Sequence, residues 1–321
     1  MKLEKTALLA PMAGVADRAY RKLCRDYGAA GSCSEMVSVK GLCYGDTSSA
    51  ELCVLDPEAR PTGIQLFGSD PAYIARAVTL VQPYQPDWID LNMGCPVRKV
   101  VSTGAGSALM RDIPLAQRCV EAAVSASDVP VTVKCRLGWD DESRNAVEFC
   151  LAMEDAGAAA VTVHGRTRAQ MYNGKADWQA IAEVKKALHV PVVGNGDVHS
   201  GEDACALYKE TGCDLIMVGR GSRGNPFVFS EICAALRGEA YTPPTLEMRM
   251  ETMLYHLRMI LQMHTEMTEA AAMKYFRKQA VWYMTGLRGA AQFRAQCTQL
   301  QSYEDAEALV QAVLRENSQR G

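Results

Sequence analysis

The sequence lacks several features that would assign it to a special class of protein. Its 321 residues contain no long apolar run. A membrane-spanning helix needs about 20 apolar residues, so none is predicted. The apolar stretch near the amino terminus is too short for a signal peptide, because Pro11 interrupts it. A net charge of −3 gives no overall sign of nucleic-acid binding, so any basic surface must be local.

Paired metal or redox motifs are also absent. The chain has 12 cysteines, but none forms a Cys-x-x-Cys pair or has zinc-site spacing to a histidine. Scattered cysteines in apolar stretches are typical of a reducing compartment, so we expect a cytoplasmic protein without a metal. Hydrophobic and charged contents of 48% and 22% are those of an ordinary globular protein.

Short apolar runs alternate with amphipathic stretches through most of the chain. The candidate strands are Ala7–Met12, Ser32–Val37, Gly63–Phe67, Trp88–Leu91, Val131–Arg136, Ala160–His164, Val190–Gly194 and Leu215–Val218. The candidate helices between them are Ala16–Tyr27, Pro71–Val81, Ile113–Ser125, Ser143–Ala156, Trp178–Leu188 and Gly201–Thr211. Strand–helix alternation through eight units predicts an α/β fold, a closed (β/α)8 TIM barrel. Loops and short helical pieces are expected over residues 38–62.

The composition changes at Tyr241-Thr242-Pro243-Pro244, where two prolines indicate a linker or sharp turn. No strand pattern follows. Helices are predicted at Leu246–Met263, Glu269–Thr285 and Asp305–Arg315, the last with a capping box from Ser302 to Asp305. We therefore predict a barrel domain over residues 1–240 and a small all-helical domain over residues 241–321.

Nearly every predicted strand ends in polar or glycine-rich residues, which a barrel would gather at one mouth. They are Pro11, Met12 and Ala13, then Glu35, Gln65, Asn92, Cys95, Lys134, Arg136, His164, Arg166, Asn195, Gly196, Asp197, Gly219 and Arg220. The last two strands lead into glycine-rich turns. Glycine allows backbone N–H groups to approach an anion, so these turns predict a phosphate site.

Cys95 stands out because it follows a strand and is held by Pro96. It suits a proton donor or a nucleophile, although it could also be one small apolar residue among many. Arg98 and Lys99 would lower the pKa of its thiol if they pointed toward it. An acid needs the thiol protonated, so these cations could instead contact phosphate.

Lys134 interrupts an apolar strand and needs a negative partner. That partner could be a flavin ring that becomes anionic on reduction, or a barrel carboxylate such as Glu35. His164 could act beside it or be an ordinary hydrogen-bonded residue of the mouth. Further basic residues include Arg168, Arg277 and Lys278. Together with the basic helical region they predict a polyanion lying across the mouth.

The chain resembles the tRNA-dihydrouridine synthases, flavin enzymes that reduce a uracil ring in tRNA. The likeness is carried, in family order, by Ala10-Pro11-Met12-Ala13-Gly14, Ser34-Glu35-Met36, Gln65-Leu66-Phe67-Gly68, Asp90-Leu91-Asn92-Met93-Gly94-Cys95-Pro96, Val133-Lys134-Cys135-Arg136, Val163-His164-Gly165-Arg166-Thr167-Arg168, Gly194-Asn195-Gly196-Asp197 and Val218-Gly219-Arg220-Gly221. Detail around Tyr172-Asn173-Gly174 is closest to the bacterial B-type subgroup.

The resemblance implies bound FMN, reduced by NADPH. The implied flavin contacts are Pro11, Met12, Ala13, Gln65, Lys134, His164, Asn195, Gly196, Asp197, Gly219 and Arg220. Hydride would pass to C6 of the uracil and Cys95 would protonate C5. The implied substrate contacts are Asn92, Arg136, Arg166, Arg168, Arg277 and Lys278. The implied partner is tRNA, bound by a monomer, and the B-type likeness points to a D-loop uridine, with position 17 favoured.

Three residues depart from the family pattern. Gln279 stands where a histidine is expected, Phe276 precedes Arg277, and Arg98 replaces a more usual proline or lysine. They affect the expected placement of RNA and leave the implied chemistry intact. Two other functions stay open: a flavin barrel acting on a free pyrimidine, as dihydroorotate dehydrogenases do, and a non-catalytic RNA-binding or regulatory protein.

Overall fold

The computed structural model describes residues 5–318, so the outer ends of both predicted domains lie outside the described residues. Its strands are β1 Ala7–Leu9, β2 Ser32–Cys33, β3 Val37–Ser38, β4 Thr62–Phe67, β5 Ile89–Asn92, β6 Val131–Cys135, β7 Ala160–His164, β8 Val192–Asn195 and β9 Leu215–Val218. They are rich in apolar residues, as expected of parallel strands covered on both faces. All pairings among them are parallel.

The sheet closes on itself. From β4 to β9 each strand pairs with the next, β9 pairs with β1, and β1 pairs with β2. The ring is completed where β2 pairs with β4, through Ser32 opposite Thr62 and Cys33 opposite Gly63. Eight barrel positions result, because β2 and β3 occupy one position together. The predicted TIM barrel is confirmed.

The prediction of one continuous strand over Ser32–Val37 is wrong, because Ser34–Met36 interrupts it. The Glu35 carboxylate there accepts a hydrogen bond from the backbone N–H of Gly14, in the loop after β1. The strand therefore leaves the regular ladder where its side chain binds a neighbouring loop. The predicted bounds of β7 and β9 are confirmed, and the ends of the other strands differ from the prediction by at most three residues.

Helices surround the barrel and form the region after it. They are α1 Arg18–Asp26, α2 Val39–Cys43, α3 Thr47–Glu51, α4 Pro71–Val81, α5 Arg98–Val101, α6 Ile113–Ala126, α7 Ala146–Asp155, α8 Trp178–Ala187, α9 Gly201–Thr211, α10 Val228–Arg237, α11 Leu246–Met263, α12 Glu269–Tyr283, α13 Ala290–Cys297 and α14 Tyr303–Ser318. Short α2 and α3 confirm the expectation for residues 38–62. Helices α10 and α13 were not predicted.

Local capping explains several helix boundaries. The Ser200 side chain accepts from the backbone N–H of Asp203 at the start of α9, and Gly212 ends that helix with a positive φ of 65°. The predicted capping box before α14 is confirmed: Ser302 and Asp305 bond each other's backbone N–H, both at 3.2 Å. No helix among residues 5–318 is long and apolar enough to cross a membrane.

The helical region, α11 to α14, packs against the barrel at α1. Tyr27 bonds Thr252 between their hydroxyls at 2.9 Å, and Gln279 donates to Asp17 at 2.7 Å. Gly224, with a φ of +62°, lies so close to the Trp282 backbone that a Cβ there would come within 2.5 Å of it. The helical carboxyl-terminal region is confirmed. The boundary at residue 240 stays a prediction.

Candidate active site in the barrel mouth

The carboxyl ends of the strands surround a cavity of about 290 Å³. This is at the lower end of the range of about 300–1,000 Å³ for small-molecule sites. Its walls include 14 of the 18 predicted site residues: Pro11, Met12, Ala13, Gln65, Asn92, Cys95, Lys134, Arg136, His164, Asn195, Gly196, Asp197, Gly219 and Arg220. Side chains up to 209 positions apart in the chain therefore converge on one space.

Cys95 lies half-buried in this wall. The Asn92 side-chain oxygen accepts from the backbone N–H groups of Gly94 at 3.2 Å and Cys95 at 2.8 Å. Burial raises the pKa of the Cys95 thiol, more than the backbone of Val97 and the charge of Arg136 lower it. Arg98 and Lys99 are exposed on α5. The thiol is therefore protonated at neutral pH, as an acid requires.

Lys134 contacts an amide in this structure. Its Nζ donates to Oδ1 of Asn195 at 3.0 Å, while Glu35 bonds Gly14. No ion pair joins Lys134 to Glu35 among residues 5–318. Burial and the nearby Arg136 lower the pKa of Lys134 to about 8. The lysine thus stands at the cavity wall without the predicted partner Glu35, and the charge of the buried Asp90 acts on it in part. Its position at the wall leaves it able to meet an anionic ligand.

His164 is buried and surrounded by cations. Burial and the charges of Lys134, Arg136, Arg166 and Arg220 hold the pKa of its imidazole well below the usual value. Its Nε2 lies 3.4 Å from Nη1 of Arg166. A neutral imidazole follows, which can donate or accept a hydrogen bond toward the cavity.

Asp197 connects three loops. Its Oδ2 accepts from Nη2 of Arg166 and from the backbone N–H of Ala176, both at 2.7 Å, and its Oδ1 accepts from Arg220 at 3.2 Å. Burial alone would raise the pKa of Asp197, but these donors hold it below the usual value. The Asp197 backbone has a φ of +56°, a conformation rare outside glycine. The loop is thus held by its ion pairs in an unusual shape.

Arg166 was predicted to contact the substrate, but its side chain is 2% exposed. Besides Asp197, it donates to the backbone oxygens of Asn173 at 3.1 Å and Gly174 at 2.6 Å. Its geometry supports loop positioning, and direct substrate contact stays a prediction. Arg136 is similar, since it bonds the backbone oxygens of Gly94, Thr167 and Met171 at 2.8–2.9 Å.

One wall of the cavity suits an anion. The Nε of Arg223 is buried and has no hydrogen-bond partner. The atom nearest to the position of a Cβ at Gly219 is Cβ of Ala10 at 3.7 Å, an ordinary contact distance. Gly219, Arg220 and Arg223 line this part of the cavity, so the glycine-rich turns fit the predicted anion site.

The other predicted substrate contacts lie outside the cavity wall. Arg168 stacks on Trp139 at 4.5 Å, and Arg277 donates to the Leu300 carbonyl at 2.7 Å. Lys278 is exposed, and its Nζ lies 3.2 Å from the position a Cβ at Gly14 would take. Arg223 and Lys278 both lie over the Trp282 ring, at 5.2 and 5.6 Å. Basic groups of the helical region thus reach the rim of the mouth.

The departures from the family pattern have distinct environments. Phe276 is fully buried against His256, and Gln279 is buried with its amide on Asp17. Arg98 is exposed. Their effect on RNA placement stays a prediction.

Several residues of this site, with Asp90, Tyr172 and Arg223 among them, are absent from the predicted set. Asp90 is buried beneath the cavity, and Tyr172 lines it under Arg220 at 4.8 Å. Asp90 could have been found as Lys134 was, as a charge inside an apolar strand. Tyr172 belongs to the run that resembles the B-type subgroup, but its loop position has no periodic pattern that would assign it to the site.

Comparison with known proteins identifies the family. Residues 8–318 match the family model described as dihydrouridine synthase (Dus). The chain is 39% identical to tRNA-dihydrouridine synthase B of Pseudomonas aeruginosa over 99% of this chain and 96% of that one. It is 40% identical to the probable tRNA-dihydrouridine synthase 1 of Synechocystis sp., over 97% of this chain and 86% of that one.

Solved structures share the fold at low identity. Histamine dehydrogenase from Rhizobium sp. 4-9 matches 79% of this chain at 14% identity, with a TM-score of 0.54. The 6-hydroxypseudooxynicotine amine oxidase of Pseudomonas geniculata N1 matches 72% at 15% identity, with a TM-score of 0.56. The chain spans 48% and 47% of those two chains, so the likeness concerns the fold of part of each.

Proposed function

Because the chain belongs to the dihydrouridine synthase family, we propose that it is an FMN-dependent tRNA-dihydrouridine synthase. It reduces a D-loop uridine of tRNA to 5,6-dihydrouridine, with NADPH as the reductant. One observation carries the proposal: the protonated thiol of Cys95 and the cation of Lys134 line the same cavity at the barrel mouth. A proton donor and a group that stabilises negative charge are what reduction of a uracil double bond requires.

The cavity residues fit FMN in their chemistry. Arg220, Arg223 and the turn at Gly219 would hold its phosphate, since all three line one part of the cavity. Lys134, Gln65 and the β1 loop from Pro11 to Ala13 would face its ring. When bound, FMN supplies hydride chemistry, with electrons that come from NADPH.

The protein side of the reaction rests on Cys95. Its Sγ gives the proton to C5 of the uracil, and the raised pKa of the thiol keeps that proton available. Asn92 holds the Cys95 backbone in place, and Arg136 joins that loop to the Thr167–Met171 segment. The uracil therefore meets a proton donor whose loop is held by Asn92 of β5 and by Arg136, which follows β6.

Access to the uracil requires the nucleotide to leave its stack, so the tRNA backbone must be held beside the mouth. Lys278 and the Trp282 ring lie at that rim, where a cation can bind phosphate and the ring can stack with a base. Arg168 and Arg277 add charge further out. A monomer in the cytoplasm, where tRNA is modified, completes the proposal.

The test is mass-spectrometric mapping of unmodified tRNA after incubation with the protein, FMN and NADPH. A gain of two hydrogens at one D-loop uridine is expected, with position 17 favoured. Failure of this gain with a yellow protein and a reducible flavin, on both unmodified and otherwise modified tRNA, would contradict the proposal. Oxidation of dihydroorotate would then support action on a free pyrimidine, and a colourless protein without FMN would support an RNA-binding function.

A further inference from the structure

A buried carboxylate lies under the cavity without lining it. Asp90 on β5 is 5% exposed, and both of its oxygens are bonded. Oδ2 accepts from Nε2 of Gln65 at 2.7 Å, and Oδ1 accepts from the Thr132 hydroxyl at 2.5 Å. The three residues lie at one level of adjacent strands, since Asp90 pairs with Gln65 on one side and Thr132 on the other.

The bonds continue upward from Gln65 to the loop of Cys95. Oε1 of Gln65 accepts from Nδ2 of Asn92 at 2.9 Å, and Oδ1 of Asn92 accepts from the backbone N–H of Cys95 at 2.8 Å. We call Thr132, Asp90, Gln65 and Asn92 the amide line. It runs from a buried charge to the backbone of the proposed acid.

The direction of the amide line depends on its carboxylate. A side-chain amide has a donor end and an acceptor end of nearly the same shape, so Gln65 and Asn92 could each point either way. An ionised carboxylate only accepts. It therefore turns Nε2 of Gln65 toward itself, which leaves Oε1 for Asn92, and this in turn directs Oδ1 of Asn92 to the Cys95 loop.

A buried charge is costly, and packing does not require one here. Burial raises the pKa of Asp90 to about 6, although Gln65, Thr132 and the charge of Lys134 lower it. An apolar residue such as leucine would fill the position without that cost. The adjacent Lys134 uses the negative charge, and the amide line uses the acceptor oxygens.

We propose that Asp90 is a positioning residue, which sets the direction of the Gln65 and Asn92 amides and so holds the Cys95 loop in its working shape. This inference rests on the proposed function of the cavity. A second buried polar pair provides a contrast. The hydroxyls of Ser32 and Thr62 bond each other at 3.1 Å at the amino-terminal end of β4, away from the carboxyl ends of the strands that form the mouth. Within residues 5–318, no side-chain hydrogen bond continues from that pair to a residue of the cavity wall.

Two substitutions at position 90 distinguish the loss of a hydrogen-bond acceptor from a change in side-chain chemistry at similar size. In Asp90→Asn, the new amide can still accept from Gln65 while it donates to the Thr132 hydroxyl, so the line keeps its direction. In Asp90→Leu the acceptor is lost and Gln65 is free to turn. Position 90 therefore offers a conservative variant that restores the proposed function of the side chain and an apolar one that removes it.

The first measurement needs neither cofactor nor tRNA. Alkylation of Cys95 by iodoacetamide is followed by peptide mass spectrometry in cofactor-free protein, relative to the half-buried Cys205 on α9. Asp90→Leu is expected to change this ratio by about tenfold or more, because a misdirected amide no longer holds the Cys95 N–H. In Asp90→Asn, the ratio of Cys95 to Cys205 alkylation should stay within about threefold of the wild-type value, because the hydrogen bond from Gln65 is retained.

The second measurement uses the FMN-loaded enzyme and tRNA. In Asp90→Leu, single-turnover formation of dihydrouridine should fall about 100-fold, since small misplacements of a catalytic group have effects of that size. Reduction of the flavin by NADPH should change less, because Gln65 is only one of the residues proposed to face the ring. Thr132→Val should give a smaller loss, and its matched control Thr62→Val should leave both measurements unchanged.

Equal behaviour of Asp90→Leu and wild type in alkylation would overturn the proposal, as would equal impairment of Asp90→Leu and Asp90→Asn. If Asp90→Leu fails to fold, Gln65→Met breaks the line one step further on and must change Cys95 alkylation in the same direction. If the wild type forms no dihydrouridine, the proposed function fails, while alkylation still tests the positioning.

Discussion

The two sides of the barrel mouth are held by different forces. On β4 to β6, the amide line joins neutral groups to one buried carboxylate and ends at the Cys95 backbone. On the loops after β7 to β9, Arg166 and Arg220 hold Asp197 through ion pairs of 2.7 and 3.2 Å. Side-chain amides fix the direction of hydrogen bonds, which suits the side that faces the reacting uracil. Ion pairs fix the positions of cations, which suits the side that faces a phosphate.

The largest effect is expected from a substitution that alters only the β4 to β6 side of the mouth. Cys95→Ala should lower dihydrouridine formation by about 100- to 10,000-fold, the usual contribution of a general acid. FMN binding should survive, because the second side is intact. Quantitative nucleoside mass spectrometry and flavin absorbance measure the two effects. Cys205→Ala is the control, and normal turnover of Cys95→Ala would remove Cys95 from the mechanism.

The next largest effect is expected from a substitution on the other side of the mouth, in the loops after β7 to β9. Arg166→Met removes a buried cation that holds Asp197 and the Asn173–Gly174 backbone. Loss of one partner of a buried pair costs about 3–5 kcal/mol, and we expect about 2–3 kcal/mol because Asp197 is partly exposed. FMN affinity should fall about tenfold or more, since the loop that shapes its site is released.

Urea unfolding and fluorescence titration with FMN measure these losses. The matched control is Arg144→Met, whose pair with Asp177 at 2.9 Å is more exposed on both sides. That pair should contribute less than about 1 kcal/mol. Unchanged FMN affinity in Arg166→Met would show that the two sides do not divide their functions in this way.

A smaller effect is expected outside both sides. Lys278→Ala should raise the KM for tRNA about threefold to tenfold and reduce the slope of log Kd against log salt by about 1, as loss of one phosphate contact does. Flavin reduction should not change. Lys274→Ala, an exposed lysine on the same helix, is the control. Equal effects of both variants would argue against a specific contact at the rim.

The smallest effect concerns pH at the junction of α1 with the helical region. Burial lowers the pKa of His264, but Asp17 and Glu266 raise it above the usual value overall. A raised pKa gives stability below about pH 6.5 that is lost as pH rises through the folded value. Between pH 6 and 8 the melting temperature should fall by roughly 2 °C more in wild type than in His264→Gln. Identical pH profiles would contradict this contribution.

Sequence patterns predicted the elements best where local signals were strong. The bounds of Pro71–Val81, Gly201–Thr211 and Leu246–Met263 match the structure, because Asp70, Ser200 and Thr245 cap them with side-chain bonds. Helix α13 was missed because its eight residues have little apolar periodicity. The break at Glu35 was missed because its cause, Gly14, lies 21 residues away.

For the candidate site, the sequence by itself determined which residues stand at the strand ends, because parallel strands in a barrel all finish at one mouth. Only the tertiary structure decided what each side chain faces. Arg166 is turned inward to Asp197, Asp90 is directed to Gln65, and Gln279 bonds an aspartate 262 residues away. These contacts join groups distant in the chain, and hydrogen-bond direction depends on distances and angles that no local pattern of residues contains.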